Sequence, residues 1–328
     1  MMKRHRCSFA AALALLAVGL QAPPAAAQLV EFKAGIADPA SSVLAWWMAE
    51  AGGFFARQGL RVQIPSVGGN RGLEALQAGR IDVAHRGLSN IVRVNQAGGD
   101  LRLIGSLGNL MRLSFFSAAG VKTAADLKGG MVAVSNFGAE SDIAVTLALQ
   151  RLGLTRNDVT IKEFGDTARR LAAVKSGDAK ATVLSEPFTS LAREQGVNVM
   201  VDLAAERIPW VFTGIAVKRS ATTTDRDRLK RFLRGTIEGN YFAFTDEKRA
   251  KEVLAKELQV TDPKLVAISY NDYKLQTPLN IEPIGAENTI AQFPGVSTKV
   301  EDYVDTTLLD EIRREGFITA LQQKYNLR

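Results

Sequence analysis

Between Val30 and about Met200 the chain alternates short apolar runs with amphipathic stretches, and a glycine closes most of the latter. This alternation limits the fold more than any other feature. Strands separated by helices lie parallel in a sheet, and the helices must cover its faces. The spacing predicts strands over residues 30–36, 60–64, 81–84 and 102–106, with helices over 41–58, 70–78 and 89–97. The pattern then restarts, with strands over 131–134, 159–162, 181–184 and 197–201 and helices over 139–152, 167–175 and 187–195.

The two rounds form a diverged internal repeat. Arg71-Gly72-Leu73-Glu74-Ala75-Leu76-Gln77-Ala78-Gly79 lines up with Arg169-Arg170-Leu171-Ala172-Ala173-Val174-Lys175-Ser176-Gly177, and each is followed by a short apolar strand. A unit this long that occurs twice argues for two similar lobes and against an array. After a further strand over 211–217, helical apolar spacing continues over 225–244, 246–258, 262–273 and 303–315. Residues 277–299, with Pro278, Pro283 and Pro294, read as irregular. The expected architecture is α/β and two-lobed. Residues 28–116 and 216–328 form lobe 1, residues 117–215 form lobe 2, and the helical C-terminal section packs outside. Two crossings, near 113–118 and 211–217, would form a hinge, and ligand sites favour such inter-domain clefts.

The N-terminus reads as an address. Lys3, Arg4 and Arg6 precede an apolar run from Phe9 to Leu20, then Pro23-Pro24 and the small residues Ala25-Ala26-Ala27. This is the tripartite pattern of a cleavable export signal over residues 1–27. The run is too short for a stable anchor, which needs about 20 residues. Cleavage after Ala27 would start the mature chain at Gln28 and place it in the periplasm. Cys7, the one cysteine, precedes the apolar run, so it is misplaced for a lipid anchor, and the mature chain would have neither a disulfide nor a thiolate. The net charge of +7 overstates the mature value, because losing Lys3, Arg4 and Arg6 takes 41 basic residues to 38 against 34 acidic ones. Those charges are interspersed, with no basic stripe for nucleic acid.

Catalytic chemistry is poorly supplied. His85 is the one histidine outside the leader, and its simplest reading is a hydrogen-bonded wall residue. No His/Cys cluster exists for zinc, and neither a Gly-x-Ser-x-Gly elbow nor a phosphate-loop or dinucleotide fingerprint is present. The expectation is a non-enzyme with no cofactor and no metal, acting as a monomer on a small molecule.

The candidate binding residues lie at strand-to-helix turns, because open α/β sheets bind ligands beyond the carboxyl ends of their strands. These turns hold Asp38 to Ser42, Gly68 to Asn70 and Arg86 to Asn90, then Ser135 to Ser141, Gly165 to Thr167 and Ser185 to Pro187. Free N–H groups at helix starts favour anions, although Ser or Asn there often serves only as a cap. Ser41, Ser42, Asn70, Ser89, Asn90, Asn136, Gly138, Ser141 and Glu186 are the polar candidates. Arg86 and Arg112 would pair with an acid group, the alternative being a salt bridge. Phe137, Trp46 and Trp210 would cover an apolar portion, the alternative being core packing.

Ala49-Glu50-Ala51-Gly52-Gly53-Phe54-Phe55, Leu76 to Ala84, Asp126 to Gly130, Phe137 to Asp142 and Leu184 to Pro187 occur in an order and spacing that resemble a known family. The chain is similar to the periplasmic solute-binding proteins of ABC importers in the nitrate, taurine and aliphatic-sulfonate branch, with a domain like that of thiamine-pyrimidine synthases. The resemblance implies a type II periplasmic-binding fold that clamps a solute and docks on an inner-membrane permease with a cytoplasmic ATPase. It places ligand contacts at Ser41-Ser42, Asn70, Ser89-Asn90, Phe137-Gly138, Ser141 and Glu186. The expected ligand is a small organic anion, a sulfonate or carboxylate. Glu186 leaves open a pyrimidine or other nitrogen compound, and a sensing role uncoupled from transport is a further alternative. The synthase activity looks dependent on histidine and a cysteine-rich stretch, which this chain lacks. A transcription-regulator effector domain would need a helix-turn-helix where the leader stands.

Overall fold

The computed structural model describes residues 28–275 and 279–326. The expected leader lies outside them, as do residues 276–278. Ten strands are described in chain order: β1 (Val30–Gly35), β2 (Leu60–Gln63), β3 (Val83–Arg86), β4 (Leu101–Leu110), β5 (Ser114–Ser117), β6 (Met131–Val134), β7 (Thr160–Glu163), β8 (Ala181–Leu184), β9 (Asn198–Val201) and β10 (Pro209–Lys218). They make two five-stranded sheets, ordered β2-β1-β3-β10-β4 and β7-β6-β8-β5-β9. In the first, β1 runs parallel to β2 and β3, while β10 is antiparallel to β3 and β4. The second repeats this, with β6 parallel to β7 and β8 and β5 antiparallel to β8 and β9. The internal repeat is thus a repeat of topology. Each sheet takes its inserted antiparallel strand from chain arriving out of the other half.

Residues 114–116, expected with the first half, pair in the second sheet, and residues 209–215, expected with the second, pair in the first. The chain leaves the first sheet through Met111, Arg112 and Leu113 and returns between β9 and β10. β5 and β10 are mostly buried apolar strands whichever sheet they join, so hydropathy does not tell to which half each belongs. β4 outruns the expected 102–106 because it pairs along β10 as far as Pro209 opposite Leu110. The expected helix over 41–58 is divided into a 3-10 turn at Ser41–Val43 and helices Leu44–Ala51 and Phe54–Arg57. The break falls at Gly52 and Gly53, the latter at φ 67°, a conformation glycine adopts freely. The stretch expected to be irregular contains a helix, Pro283–Ile290, with proline at its start, where a missing N–H costs nothing.

Alternation along the strands builds a core on both faces of each sheet. Val132 and Val134 pack with Phe115 and Val183 on one face of the second sheet, and Ala133 packs with Phe116 and Leu184 on the other. This is why 131–134 reads as an unbroken apolar run and 181–184 as one interrupted only by Thr182, whose hydroxyl donates to the Ala133 carbonyl. In the first sheet Phe32, Val83, Ile215 and Val217 face one cluster, and Ala84, Leu103 and Ala216 face another. The Arg226–Thr245 helix covers the first of these faces, with Phe232 stacked between Phe32 and Phe55 at 4.7 and 5.2 Å. It also presses on Leu44–Ala51, where a Cβ on Gly239 would lie 2.3 Å from the Ala45 carbonyl oxygen. Among the described residues no helix is long and apolar enough to cross a membrane.

Candidate functional site

Every parallel strand ends, at its carboxyl side, in one of the six turns singled out in the sequence, and side chains join the turns of one sheet to those of the other. Glu140, which opens the Glu140–Arg151 helix, accepts hydrogen bonds from Ser89 Oγ at 2.5 Å and Asn90 Nδ2 at 2.9 Å. Arg93 covers Gly138, where a Cβ would fall 2.5 Å from its Cδ, and the Asn136 carboxamide lies about 4 Å from the Cβ position of Gly69. Asp38, after β1, feels Arg86 from its own half and Arg170 and Asp166 from the other. The cleft between the two sheets is therefore closed and lined by these turns.

Most expected ligand groups have partners within the chain. Ser41 Oγ donates to Asp272 Oδ2 at 2.8 Å, and Ser42 Oγ lies 3.0 Å from His85 Nε2. Asn70 Oδ1 accepts from Arg93 Nη2 at 3.0 Å, and Ser141 Oγ accepts from Ser135 N at 2.9 Å. Gly138 N donates to Asp142 Oδ2 at 2.8 Å, and Glu186 accepts from the Ser190 N–H at 3.1 Å. Phe137 is 49% exposed, with its N–H donating to Glu163. Among the described residues the side chains of Asn136 and Asp38 have no hydrogen-bond partner. The start of the Asn70–Gln77 helix, which Asn136 faces, has no side-chain cap.

Four expectations need correction. Arg86 does not hold a guanidinium out to a ligand. It turns back into its own half, donating to the carbonyls of Val67 at 2.8 Å, Gly69 at 3.2 Å and His85 at 2.8 Å, and so fixes the turn before the Asn70–Gln77 helix. Arg112, at the crossing, pairs with the buried Asp272 carboxylate. Trp46 and Trp210 are fully buried and do not cover the cleft. Trp46 packs edge-on against Phe232 and His85 because Leu44–Ala51 is covered by both the sheet and the long tail helix, and Trp210 belongs to the core of the second sheet. Neither indole N–H finds an acceptor among the described residues.

Burial sets the protonation states. It holds His85 neutral, with its pKa lowered to about 3, and the neighbouring Arg86 charge adds to this. Burial also lowers Arg86 and Arg170 to about 10, which leaves both charged at neutral pH. Arg170 is bound to the carbonyls of Gly165 and Val183 and to Thr167 Oγ1. Desolvation raises Asp38, with Asp166 adding to it, and pushes Glu140 up to about 7 against the donors that face it. The sequence reading did not single out Glu140, Arg93, Arg170 or Asp272 as groups that close the cleft. An acid in the first turn of a helix was the one available signal for Glu140, and it also fits a dipole partner with no wider role. Among the described residues no group of three or more His, Cys, Asp or Glu side chains is placed to hold a metal.

Residues 41–250 match the NMT1/THI5-like family model, and the chain belongs to that family. It is 26% identical over 202 residues to the riboflavin-binding protein RibY of Chloroflexus aurantiacus, covering 59% of this chain and 56% of that protein. The chain thus spans little more than half the length of this relative. It is 28% identical over 234 residues to an aliphatic sulfonates-binding protein of Escherichia coli K12, covering 69% of each. The ligand-binding component of an ABC-type import system from Staphylococcus aureus, solved with zinc bound, superimposes with a TM-score of 0.69 at 15% identity over 86% of this chain and 98% of that one. The fold is accordingly the two-lobed, type II periplasmic-binding fold. The relatives named here are binding proteins.

Proposed function

We propose that the chain is the exported ligand-binding component of an ABC importer, and that its two lobes close on a small organic anion such as a sulfonate or carboxylate. Each lobe would be one sheet with its helices, hinged at residues 111–113 and 202–208, and the closed form would dock on a permease coupled to an ATPase. The observation that carries this reading is the convergence of both lobes' strand-end turns on one cleft around an uncapped helix start. There the N–H groups opening the Asn70–Gln77 helix face Asn136, with Arg93 beside them. An acid group seated there would gain from the positive end of the helix without an arginine fork. Phe137, half exposed next to Asn136, would cover the apolar part. Binding energy in such a protein favours the closed population and is not spent on a transition state.

A second reading, a neutral nitrogen compound, is favoured by one observation. Arg86, Arg112 and Arg170 are all occupied internally, while the Asp38 carboxyl is unpaired and raised toward its protonated form. A thermal-shift screen of alkanesulfonates, carboxylates, nitrate, riboflavin and pyrimidines separates the two. A ligand at a hundred times its Kd stabilises by about 2.7 kcal/mol. Asn136→Ala should weaken an anion that responds by about tenfold, the loss of roughly one charge-assisted hydrogen bond. Stabilisation by riboflavin or a pyrimidine with no anion responding overturns the anion reading in favour of the second. Mass spectrometry of the exported product should find Gln28 at its N-terminus, and retention of Met1 would refute the export signal.

A further inference from the structure

Glu140 belongs to the second lobe, yet the side chains that hold its carboxylate belong to the first. Ser89 Oγ and Asn90 Nδ2 donate to its two oxygens. The Ser89 N–H faces it as well. The carboxylate lies over Gly87, where a Cβ would come 1.9 Å from Oε1, so only glycine admits it. The Leu88–Gln96 helix has no side-chain cap of its own, and the second lobe supplies one. We propose that Glu140 is the latch of the closed cleft, a built-in acid that seats on the first lobe's Leu88–Gln96 helix when the lobes meet, so that closing is coupled to the protonation of this one carboxyl. The proposal rests on the reading that the lobes open and close.

Several charged groups face the latch. Arg86 approaches from β3, Arg93 lies on the same helix as Ser89 and covers Gly138, and Asp142 is on Glu140's own helix. Burial nevertheless dominates and pushes the Glu140 carboxyl up to about 7 in the closed form. Opening would expose it to water and return it to about 4.3. A group raised in the closed state favours that state while protonated and loses the advantage as pH rises through its closed-state value. Closing therefore takes up a proton between these two values. The closed-to-open ratio should fall by roughly 30-fold from about pH 5.5 to about pH 8.

The test uses the ligand-free full chain, with the cysteine removed by Cys7→Ser and dyes placed by Lys248→Cys and Lys175→Cys, both exposed. Single-molecule energy transfer then reads two distances and their populations against pH. Wild type should shift toward the open distance as pH rises, Glu140→Gln should flatten that response, and Asp178→Asn, at an exposed carboxyl beyond the far end of the Thr167–Ser176 helix, should preserve it. Ser89→Ala/Asn90→Ala, which leaves the acid in place without its seat, should lower the closed population about tenfold at pH 5.5 and serves if Glu140→Gln does not fold. Two populations with an unchanged pH response in Glu140→Gln overturn the latch while lobe opening stands. One distance at every pH in every variant overturns lobe opening itself, and the latch with it.

Discussion

Asp272→Ala should be among the costliest single changes outside the apolar core. Asp272 lies on the Pro263–Lys274 helix of the tail and pairs with Arg112 at the crossing between the sheets, each side chain being 10% exposed. Its carboxylate also accepts from Ser41 in the first strand-end turn. Truncating it strands a guanidinium whose pKa is already lowered by burial, against the raising effect of Glu186. Removing one partner of a buried pair costs about 3–5 kcal/mol, and the residual exposure here favours the lower end. The orphaned Ser41 hydroxyl adds about 1 kcal/mol. Arg112→Ala should cost about 3 kcal/mol for the complementary reason. The double variant removes both charges and should cost less than the two singles together by about 2 kcal/mol. Urea unfolding followed by tryptophan fluorescence reads this directly, since a loss of 3 kcal/mol moves the midpoint by about 1 M at a slope near 3 kcal/mol/M. A cost under about 1 kcal/mol for Asp272→Ala, or strict additivity in the double variant, would refute the claim that this pair holds the crossing to the tail.

Two further outcomes follow from the same reasoning. Gly72→Ala places a Cβ 2.0 Å from Arg86 Nη2 and 2.5 Å from the Val67 carbonyl oxygen, so it should cost about 1–3 kcal/mol and disturb the turn before the Asn70–Gln77 helix; an unchanged urea midpoint counts against the role given to Arg86. His85 is held neutral when folded, with a pKa of about 3 against an ordinary 6.5, so its contribution is intact above pH 6.5 and lost as pH falls toward 3. His85→Gln should therefore lose less stability than wild type between pH 7 and pH 4, by about 3 kcal/mol, and parallel curves in urea titrations at the two pH values would refute it.

The architecture was legible because period-2 and period-3.6 patterns report burial, and burial by neighbouring elements is what makes an α/β fold. Residues 131–134 and 181–184 read as strands because both of their faces are covered. Legibility failed where burial is uniform along the chain. The crossings were displaced by a few residues because β5 and β10 are apolar whichever sheet they join. The Pro283–Ile290 helix was missed because proline was read as a breaker when it stands at the first position.

The turns were legible as places and illegible as partnerships. A serine ahead of a helix looks the same in sequence whether it caps its own helix, binds a solute or receives a carboxylate from the other lobe. Ser89 does the last of these, and Ser41 and Ser42 are bound to Asp272 and His85. The distinction depends on contacts between residues 43 to 231 positions apart, which local periodicity does not encode. The arginines misled for the same reason. Arg86 and Arg112 stand at strand ends, where a ligand-binding guanidinium would stand, but three backbone carbonyls claim the first and a tail carboxylate the second. A buried cation satisfied in this way does not exchange partners for a solute without leaving its old partner orphaned, at a cost comparable to what the solute would supply. On the proposed function, recognition would then fall to the groups that closure leaves unspent: the uncapped start of the Asn70–Gln77 helix, the Asn136 carboxamide, the Asp38 carboxyl and the exposed face of Phe137. Dipole and amide donors with one aromatic face suit a delocalised acid group or a polar heterocycle better than a compact ion that needs a formal counter-charge, and that preference is what the anion and pyrimidine arms of the ligand screen measure.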